Sequence, residues 1–253
     1  MKVFISYRNT VNNGKFENYD LISDLIAEIK RMNPRCQCIT VPPQAFPHGT
    51  LFSPYDIADF VYTTFILMDD CDKFYILDKD YFYEDGEMTS IWTEVECCIW
   101  SYYSRTGLFN RHKRKDDYYT IASNANDMFS FRRTNLIQLS EYQRFLLRRC
   151  VLDFDRTSRI DSSAPYLKKR RKLIVVCDQC KKCFLLSRKE IQKEGKGMYQ
   201  CACGNIIDFH VEKEHIICSQ DKHSHKNKTI NIFDAIDLLY QDNLEYPEIQ
   251  LKQ

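Results

Sequence analysis

The sequence predicts an α/β protein whose central sheet is parallel, followed by a small β module and a C-terminal helix. Up to residue 100, short apolar strands alternate with helical stripes, a pattern typical of a parallel sheet covered by helices. Further along the chain, cysteines gather in closely spaced pairs beside predicted strands. With 253 residues, the chain is long enough for a full α/β core and such a module.

The composition is that of a globular chain without a strong charge preference. Hydrophobic residues make up 44% and charged residues 28%, as in ordinary folded domains. The net charge of +1 gives no global attraction to nucleic acid or an anionic membrane, so either partner would need a local patch. No apolar run approaches membrane-spanning length, and residues 1–6 run directly into a strand without an export signal. We therefore expect a reducing, cytoplasmic location and no membrane partner.

The elements of the first part follow from local patterns. An apolar stripe at helical spacing runs from Leu21 to Met32 and predicts the first helix. Ser53 as N-cap, with Pro54 at the first helical position, predicts the start of the second helix. Beyond residue 100 the pattern weakens, and the last strand and helix are predicted at 135–139 and 141–150. The preceding strands are predicted at residues 2–8, 36–41 and 73–77.

A further helix, predicted to begin near Ser90, carries a carboxylate among tryptophans. Trp92, Glu96 and Trp100 fall at i, i+4 and i+8 and therefore share one helical face. Glu94 falls on the opposite side, where a solvated charge is expected. A charged residue on an apolar face is rarely buried without a partner or a function. Helical geometry alone favours a salt bridge at the rim of the core for Glu96.

Three motifs in order resemble a bacterial TIR (Toll/interleukin-1 receptor) domain of the NAD-cleaving kind. They are Phe-Ile-Ser-Tyr-Arg at 4–8, the strand at 71–77, and Ser-x-Trp-x-x-x-Glu at 90–96. The resemblance is taken to cover residues 1–155 and implies a flavodoxin-like fold around the central parallel sheet. Thr93 stands where the family often has cysteine, a departure that leaves the carboxylate in place.

The resemblance implies that Glu96 is the catalytic carboxylate of an NAD+ nucleosidase. Such an enzyme cleaves the nicotinamide–ribose bond and gives nicotinamide with ADP-ribose or a cyclic isomer of it. Tyr7 and Arg8, after the first strand, are implied to bind the dinucleotide, and Trp92 to form a wall of the site. Phe46 is an implied contact from the loop after the second strand. For Tyr7 and Arg8, the alternative is an ordinary exposed loop.

The same resemblance implies NAD+ as substrate, self-association through TIR–TIR contacts and, in bacteria, a role in anti-phage defence. An effector or sensor protein is a further implied partner. Two other classes stay open at this stage. One is a non-enzymatic TIR adaptor that assembles with other TIR domains, although a scaffold has no need for a carboxylate at position 96. The other is a nucleic-acid-sensing protein that regulates its TIR half.

Residues 173–218 contain cysteines with the spacing of a metal site. Cys177 and Cys180 form a C-x2-C knuckle after a predicted strand, and Cys201 with Cys203 forms a second pair before another strand. Four thiolates suit the tetrahedral geometry of structural Zn2+, and a closed site of this kind has no open position for catalysis. The layout resembles a zinc ribbon, with a C-x-C pair that is tighter than usual. Cys183 is expected in the core.

A linker at 156–172 and a tail at 219–253 complete the predicted organisation. The linker ends in five basic residues at 168–172. They make nucleic acid a possible partner, with an ordinary solvent-exposed charge run as the alternative. The apolar pattern of the tail predicts a helix, which we expect to dock on the protein itself. The alternative is that this helix mediates oligomerisation. Its apolar face comprises Ile232, Phe233, Ile236, Leu239 and Tyr240.

Overall fold

The computed structural model of the protein describes residues 1–7, 11–12, 15–16, 19–41, 49–77, 91–106, 118–123, 129–158, 171–218 and 231–241. The chain divides into two compact units, one of residues 1–46 and 61–147 and the other of residues 47–60 and 148–253. Most of the predicted basic linker lies outside the described residues, and the predicted domain bounds stay a prediction. None of the described helices is both long enough and apolar enough to cross a bilayer.

A five-stranded sheet forms the centre of the first unit. The strands in this unit are β1 (Lys2–Ser6), β2 (Val11–Asn12), β3 (Lys15–Phe16), β4 (Gln37–Thr40), β5 (Lys73–Leu77), β6 (Tyr118–Ser123) and β7 (Phe129–Thr134). The sheet order is β4-β1-β5-β6-β7, while β2 and β3 form a separate hairpin. β1 pairs in parallel with β4 and β5, β5 pairs in parallel with β6, and β7 is antiparallel to β6. Counting only the strands of this sheet in chain order, their order is 2-1-3-4-5. The predicted parallel α/β sheet is confirmed for the first four of them, whereas the last, β7, is antiparallel.

The inner strands and the helices around them supply the core. The helices are α1 (Tyr19–Met32), α2 (Pro54–Asp69), α3 (Ile91–Thr106) and α4 (Glu141–Ser158), of which α2 and α4 contribute residues to both units. Nearly every residue of β1 and β5 is buried, as expected for parallel strands covered on both faces. The ring centroids of Phe74 on β5 and Trp100 on α3 lie 5.6 Å apart, and those of Phe65 on α2 and Tyr103 on α3 lie 4.5 Å apart.

The predicted strand at 135–139 is wrong. The last strand of this sheet is β7, which ends directly before the predicted range and mixes half-buried with exposed side chains at the sheet edge. Its arginines obscure the apolar pattern on which the prediction depended. In the irregular connection that follows, the Ile137 N–H donates a hydrogen bond to Ser101 Oγ at 2.9 Å, and the apolar residues of this connection are half-buried. α4 is also longer than predicted, ending at Ser158.

A reciprocal capping box begins α2, as Ser53 and Pro54 predicted. The Asp56 N–H donates to Ser53 Oγ at 3.1 Å, and the Ser53 N–H donates to Asp56 Oδ2 at 3.0 Å. Ser53 is fully buried. Ser140 and Gln143 form the same arrangement at the exposed start of α4.

Ser53→Ala is expected to cost about 1–2 kcal/mol of unfolding free energy. The Asp56 N–H would lose the hydroxyl acceptor at a buried position and keep only the Ser53 carbonyl. Ser140→Ala is the matched control. It should cost less, since water can replace the lost hydroxyl at that exposed cap. Urea unfolding of both variants measures the difference, and equal costs would contradict a contribution from burial.

Antiparallel strands and two helices make up the rest of the second unit. They are β8 (Lys172–Val176), β9 (Cys183–Ser187), α5 (Arg188–Glu194), β10 (Lys196–Gln200), β11 (Ile206–Glu212), β12 (His215–Cys218) and α6 (Ile232–Gln241). β8 and β9 form a hairpin, and β10-β11-β12 form a three-stranded sheet. The predicted face of α6 is buried, with Ile232 and Ile236 at 0% exposure. The expectation that this helix docks on its own protein is confirmed.

A segment from an earlier part of the chain joins the β strands of the second unit. We call residues 49–52 the docked segment. Leu51 N–H donates to Ile216 O at 3.0 Å and Cys218 N–H donates to Gly49 O at 3.1 Å, both contacts being with β12. On the other side, Ile174 N–H of β8 donates to Phe52 O at 2.9 Å. The docked segment therefore links the three-stranded sheet to the β8–β9 hairpin, a connection that no local sequence pattern predicts.

Candidate active site and metal centre

Helix α3, which carries Glu96, is buried around its whole circumference. Every residue from Thr93 to Ser104 is buried except Glu94, which is half-buried with its Oε2 shielded from solvent. The expectation of a solvated Glu94 on an exposed face is therefore wrong. A helix buried on all sides can include small polar residues at positions that a simple apolar stripe would assign to solvent.

The carboxyl group of Glu96 lies in the core. Glu96 is 5% exposed, and burial raises the pKa of its carboxyl to about 8, with a smaller opposing effect from the Ser6 hydroxyl. Within the described part of the chain, Glu96 forms no ion pair, so the salt bridge at the rim of the core is not observed there. Since a buried charge without a cation is costly, the carboxyl is largely neutral at pH 7.

Ser6 connects the Glu96 carboxyl with a defined position in the central sheet, because its hydroxyl acts on that carboxyl. Ser6 is the last residue of β1 and pairs in register with Ile76 of β5. The chain crosses from one side of β1 to the other between β4 and β5, which makes the β1–β5 boundary the topological switch point. In open α/β sheets, ligands bind outside the carboxyl ends of the strands at such a point. Ser6, whose hydroxyl acts on the Glu96 carboxyl, lies at this end of β1.

The other predicted substrate contacts are only partly described. Tyr7 directly follows Ser6 and is half-buried. Trp92 is half-buried in the first turn of α3, one turn before Glu96. Arg8 and Phe46 lie outside the described residues.

The four predicted metal ligands come together in the second unit. Cys177 Sγ lies 3.6 Å from Cys203 Sγ, and Cys180 Sγ lies 3.6 Å from Cys201 Sγ. All four sulfur atoms lie within 4.8 Å of one another. Four sulfurs at about 2.3 Å from a tetrahedral zinc ion would be about 3.8 Å apart, which is close to this arrangement. The cysteines therefore form a cluster that could hold a metal ion.

Two tight turns bring the thiols together. Lys181 N–H donates to Cys177 O at 2.8 Å, and Gly204 N–H donates to Cys201 O at 2.8 Å. The residue after each pair adopts a left-handed conformation, with φ of 59° at Lys181 and 90° at Gly204. Glycine adopts this conformation without strain, which explains its place after the tight C-x-C pair. The unusual spacing is thus compatible with the cluster.

The surroundings of the thiols favour a bound cation. Burial raises the pKa of Cys177, but hydrogen bonds from the backbone of Cys180 and Gln179 and from the Asn205 side chain bring it down to about 6. For Cys203, the Asn205 backbone lowers the pKa, whereas burial and the neighbouring thiols together raise it to about 12. Four thiolates this close repel one another unless a cation lies between them.

Asn205 is a supporting residue that sequence reasoning missed. Its Nδ2 donates to Cys177 Sγ at 3.5 Å and to Asp178 Oδ1 at 2.7 Å, so it orients a ligand from outside the cluster. Its position next to the second cysteine turn was the available signal. Cys183 lies outside the cluster, as expected, but it is half-buried and not in the core.

The chain thus carries two chemically distinct centres. In one, a buried carboxyl is suited to meet a positively charged ligand. In the other, four thiols are suited to a soft metal ion. Comparison with protein-family models, curated proteins and solved structures gives no match.

Proposed function

We propose that the protein is an NAD+ nucleosidase of the TIR type, with Glu96 as its catalytic carboxylate. The observation that carries the proposal is a buried carboxyl, with no ion pair among the described residues, beside the carboxyl end of β1. The order of the motifs at 4–8, 71–77 and 90–96 and the 2-1-3-4-5 sheet support it. The proposed site thus coincides with the switch point of the sheet.

The chemistry requires a carboxylate and little else. The nicotinamide of NAD+ is a pyridinium and leaves as a neutral molecule, so no general acid has to protonate it. The ribose develops oxocarbenium character in the transition state, and a carboxylate beside it stabilises that charge. Burial strengthens the attraction because the local dielectric constant is low.

The raised pKa of Glu96 is compatible with this role. A neutral carboxyl avoids the cost of a buried charge while no substrate is bound. A cationic nicotinamide ribosyl group would favour the ionised form, as any opposite charge at short distance does. The substrate itself would then supply the countercharge that no described side chain provides.

The same proposal includes Zn2+ as the metal of the cysteine cluster, in a structural role. All four ligands are thiols, which leaves no coordination position open for catalysis. Self-association through TIR–TIR contacts, a cytoplasmic location and a role in anti-phage defence are the further parts that the resemblance implies.

Nicotinamide release from NAD+ by the purified full chain at high protein concentration tests the proposal. We expect release by the wild type and a loss of at least 10²–10³-fold in Glu96→Ala, the range for removing a transition-state electrostatic contact. Glu94→Gln, on the same helix, is the control and should retain activity. Chromatography of the products distinguishes ADP-ribose from a cyclic isomer. Absence of release by demonstrably assembled protein would reject the enzyme and favour the adaptor.

A further inference from the structure

Ser6 is a buried hydroxyl with no hydrogen-bonding partner among the described residues. It is 2% exposed, and its Oγ is shielded from solvent. Serine can both donate and accept, and buried polar groups in proteins nearly always find a partner. An unpartnered hydroxyl at the end of a central strand therefore calls for a physical reason.

The carboxyl of Glu96 is a group on which this hydroxyl acts, although no hydrogen bond of ordinary geometry joins the two. Besides burial, the Ser6 hydroxyl is the influence identified on the ionisation of Glu96, and it favours the charged form. On α3 itself, the neighbouring titratable groups are Glu94, Cys97 and Cys98, and burial raises the pKa of the Cys97 thiol well above its usual value, so that this thiol is neutral. In the described ranges, no basic side chain acts on Glu96. Ser6 is thus the polar partner that another element presents to the carboxyl.

We propose that Ser6 is a positioning residue for Glu96, and that its hydroxyl donates a hydrogen bond to the carboxylate once the carboxylate is ionised. This inference rests on the proposed function, since ionisation is the step that substrate binding would drive. A hydroxyl donating to a carboxylate makes a shorter and stronger bond than one donating to a neutral carboxyl. This difference explains why the Ser6 hydroxyl would make no hydrogen bond to the neutral carboxyl of Glu96 and would make one to the ionised carboxylate.

The sheet makes Ser6 suitable for this task. Its backbone belongs to β1, which is paired on both sides by β4 and β5. A donor fixed by a central strand needs little ordering when the carboxylate ionises, so the carboxylate oxygen is held in one direction. The second carboxylate oxygen stays available for the ribose.

The experiment measures the titration of Glu96 directly and the reaction separately. The full-length protein is labelled with 13C at glutamate carboxyl carbons, and Glu96→Gln identifies the resonance. Its pKa is compared in wild type, Ser6→Ala, Ser6→Thr and Ser104→Ala. Ser104 is the matched control, because it is another buried serine, on α3, whose Oγ has no hydrogen-bonding partner among the described residues. The pH profile of nicotinamide release is recorded for the same variants.

We expect Ser6→Ala to raise the pKa of Glu96 by about one unit or more, the shift that follows from losing a hydrogen bond to a charged group. Nicotinamide release at pH 7 should fall roughly tenfold, with its acid limb moved upward by the same interval. Ser6→Thr should restore both, and Ser104→Ala should change neither. If Ser6→Ala does not fold, Ser6→Cys, a weaker donor of similar size, should give a smaller shift in the same direction.

An unchanged titration of Glu96 in Ser6→Ala, or an equal shift in Ser104→Ala, would overturn the positioning role. The titration also separates this inference from the proposed function. If no variant or wild type releases nicotinamide while Ser6→Ala still shifts the titration, the positioning contact stands and the NAD+ nucleosidase is rejected.

Discussion

Glu96→Gln is expected to stabilise the protein above pH 7 while removing nicotinamide release. Burial raises the pKa of this carboxyl from 4.5 to about 8, so the folded state holds a proton that the unfolded state releases across that interval. The stability of the wild type is therefore fully present below pH 4.5 and falls through the window up to about pH 8. At about 1.4 kcal/mol per pH unit, the total loss reaches several kcal/mol. Glutamine has no proton to lose and removes this dependence.

Both tryptophans of the chain report on this change, because Trp92 and Trp100 lie on α3 with Glu96. Urea unfolding followed by their fluorescence between pH 5 and pH 9 should show an advantage of Glu96→Gln that grows with pH. Glu28→Gln is the control. The pKa of Glu28 is lowered by its hydrogen bond and charge pairing with Arg31, so this half-buried acid is ionised in both states across the interval. A constant difference between wild type and Glu96→Gln would contradict a carboxyl held neutral by burial.

A stabilising substitution that abolishes activity would have a specific meaning for Glu96. Proteins keep costly buried charges where function requires them, and removing such a group commonly stabilises the fold. If the rim salt bridge were correct, the same substitution would instead destabilise the protein. A buried neutral carboxyl and a rim salt bridge thus predict opposite signs for the change in unfolding free energy caused by Glu96→Gln.

The parts of the structure that the sequence predicted are those with local signals. The strands at β1, β4 and β5 are short apolar runs, and the cap at Ser53 has a characteristic side chain at a characteristic position. The cluster of four cysteines was predicted because the members of each pair are at most three positions apart and next to a strand. In these cases the signal and the structure it specifies occupy the same few residues.

The parts that could not be predicted depend on distant partners. The docked segment pairs with β8 and β12, which lie more than a hundred residues later, so nothing in its own sequence indicates an added strand. α3 contains Thr93, Ser101 and Ser104, polar residues that a sequence pattern assigns to the solvent-exposed face of a helix. They are buried because tertiary packing covers that face as well. From the sequence, Ser6 was identified only as part of the motif at 4–8. Its effect on Glu96 could not be predicted, because β1 and α3 are far apart in the sequence and come together only in the fold.

If the cysteine cluster holds the proposed Zn2+, removal of the metal is expected to unfold residues 173–218, the β module of the second unit. Cys177 and Cys201 are part of its buried core, together with Leu173, Ile207 and Phe209. Without a cation, four clustered thiols must stay protonated or repel one another, and the turns that carry them lose their common anchor. Structural Zn2+ in small domains contributes on the order of 10–16 kcal/mol, as much as the whole stability of a typical domain. Cys201→Ser should have the same effect as a strong chelator.

Hydrogen exchange read by mass spectrometry would follow this unfolding along the chain. We expect amides of β8, β11 and β12 to lose protection on chelation, and one equivalent of zinc to be released per chain. Cys183→Ser is the control, because its thiol lies in the same module outside the cluster. Retention of zinc and of protection in Cys201→Ser would contradict a four-thiolate site.

The docked segment extends the expected effect to a distant part of the sequence. Its amide and carbonyl groups pair with β12 and β8, and Leu51 packs against the module core. Ser53, which caps α2, follows directly, so residues 49–56 should lose protection together with the module. Protection of residues 49–56 that survives chelation would show that α2 holds this segment without the metal module.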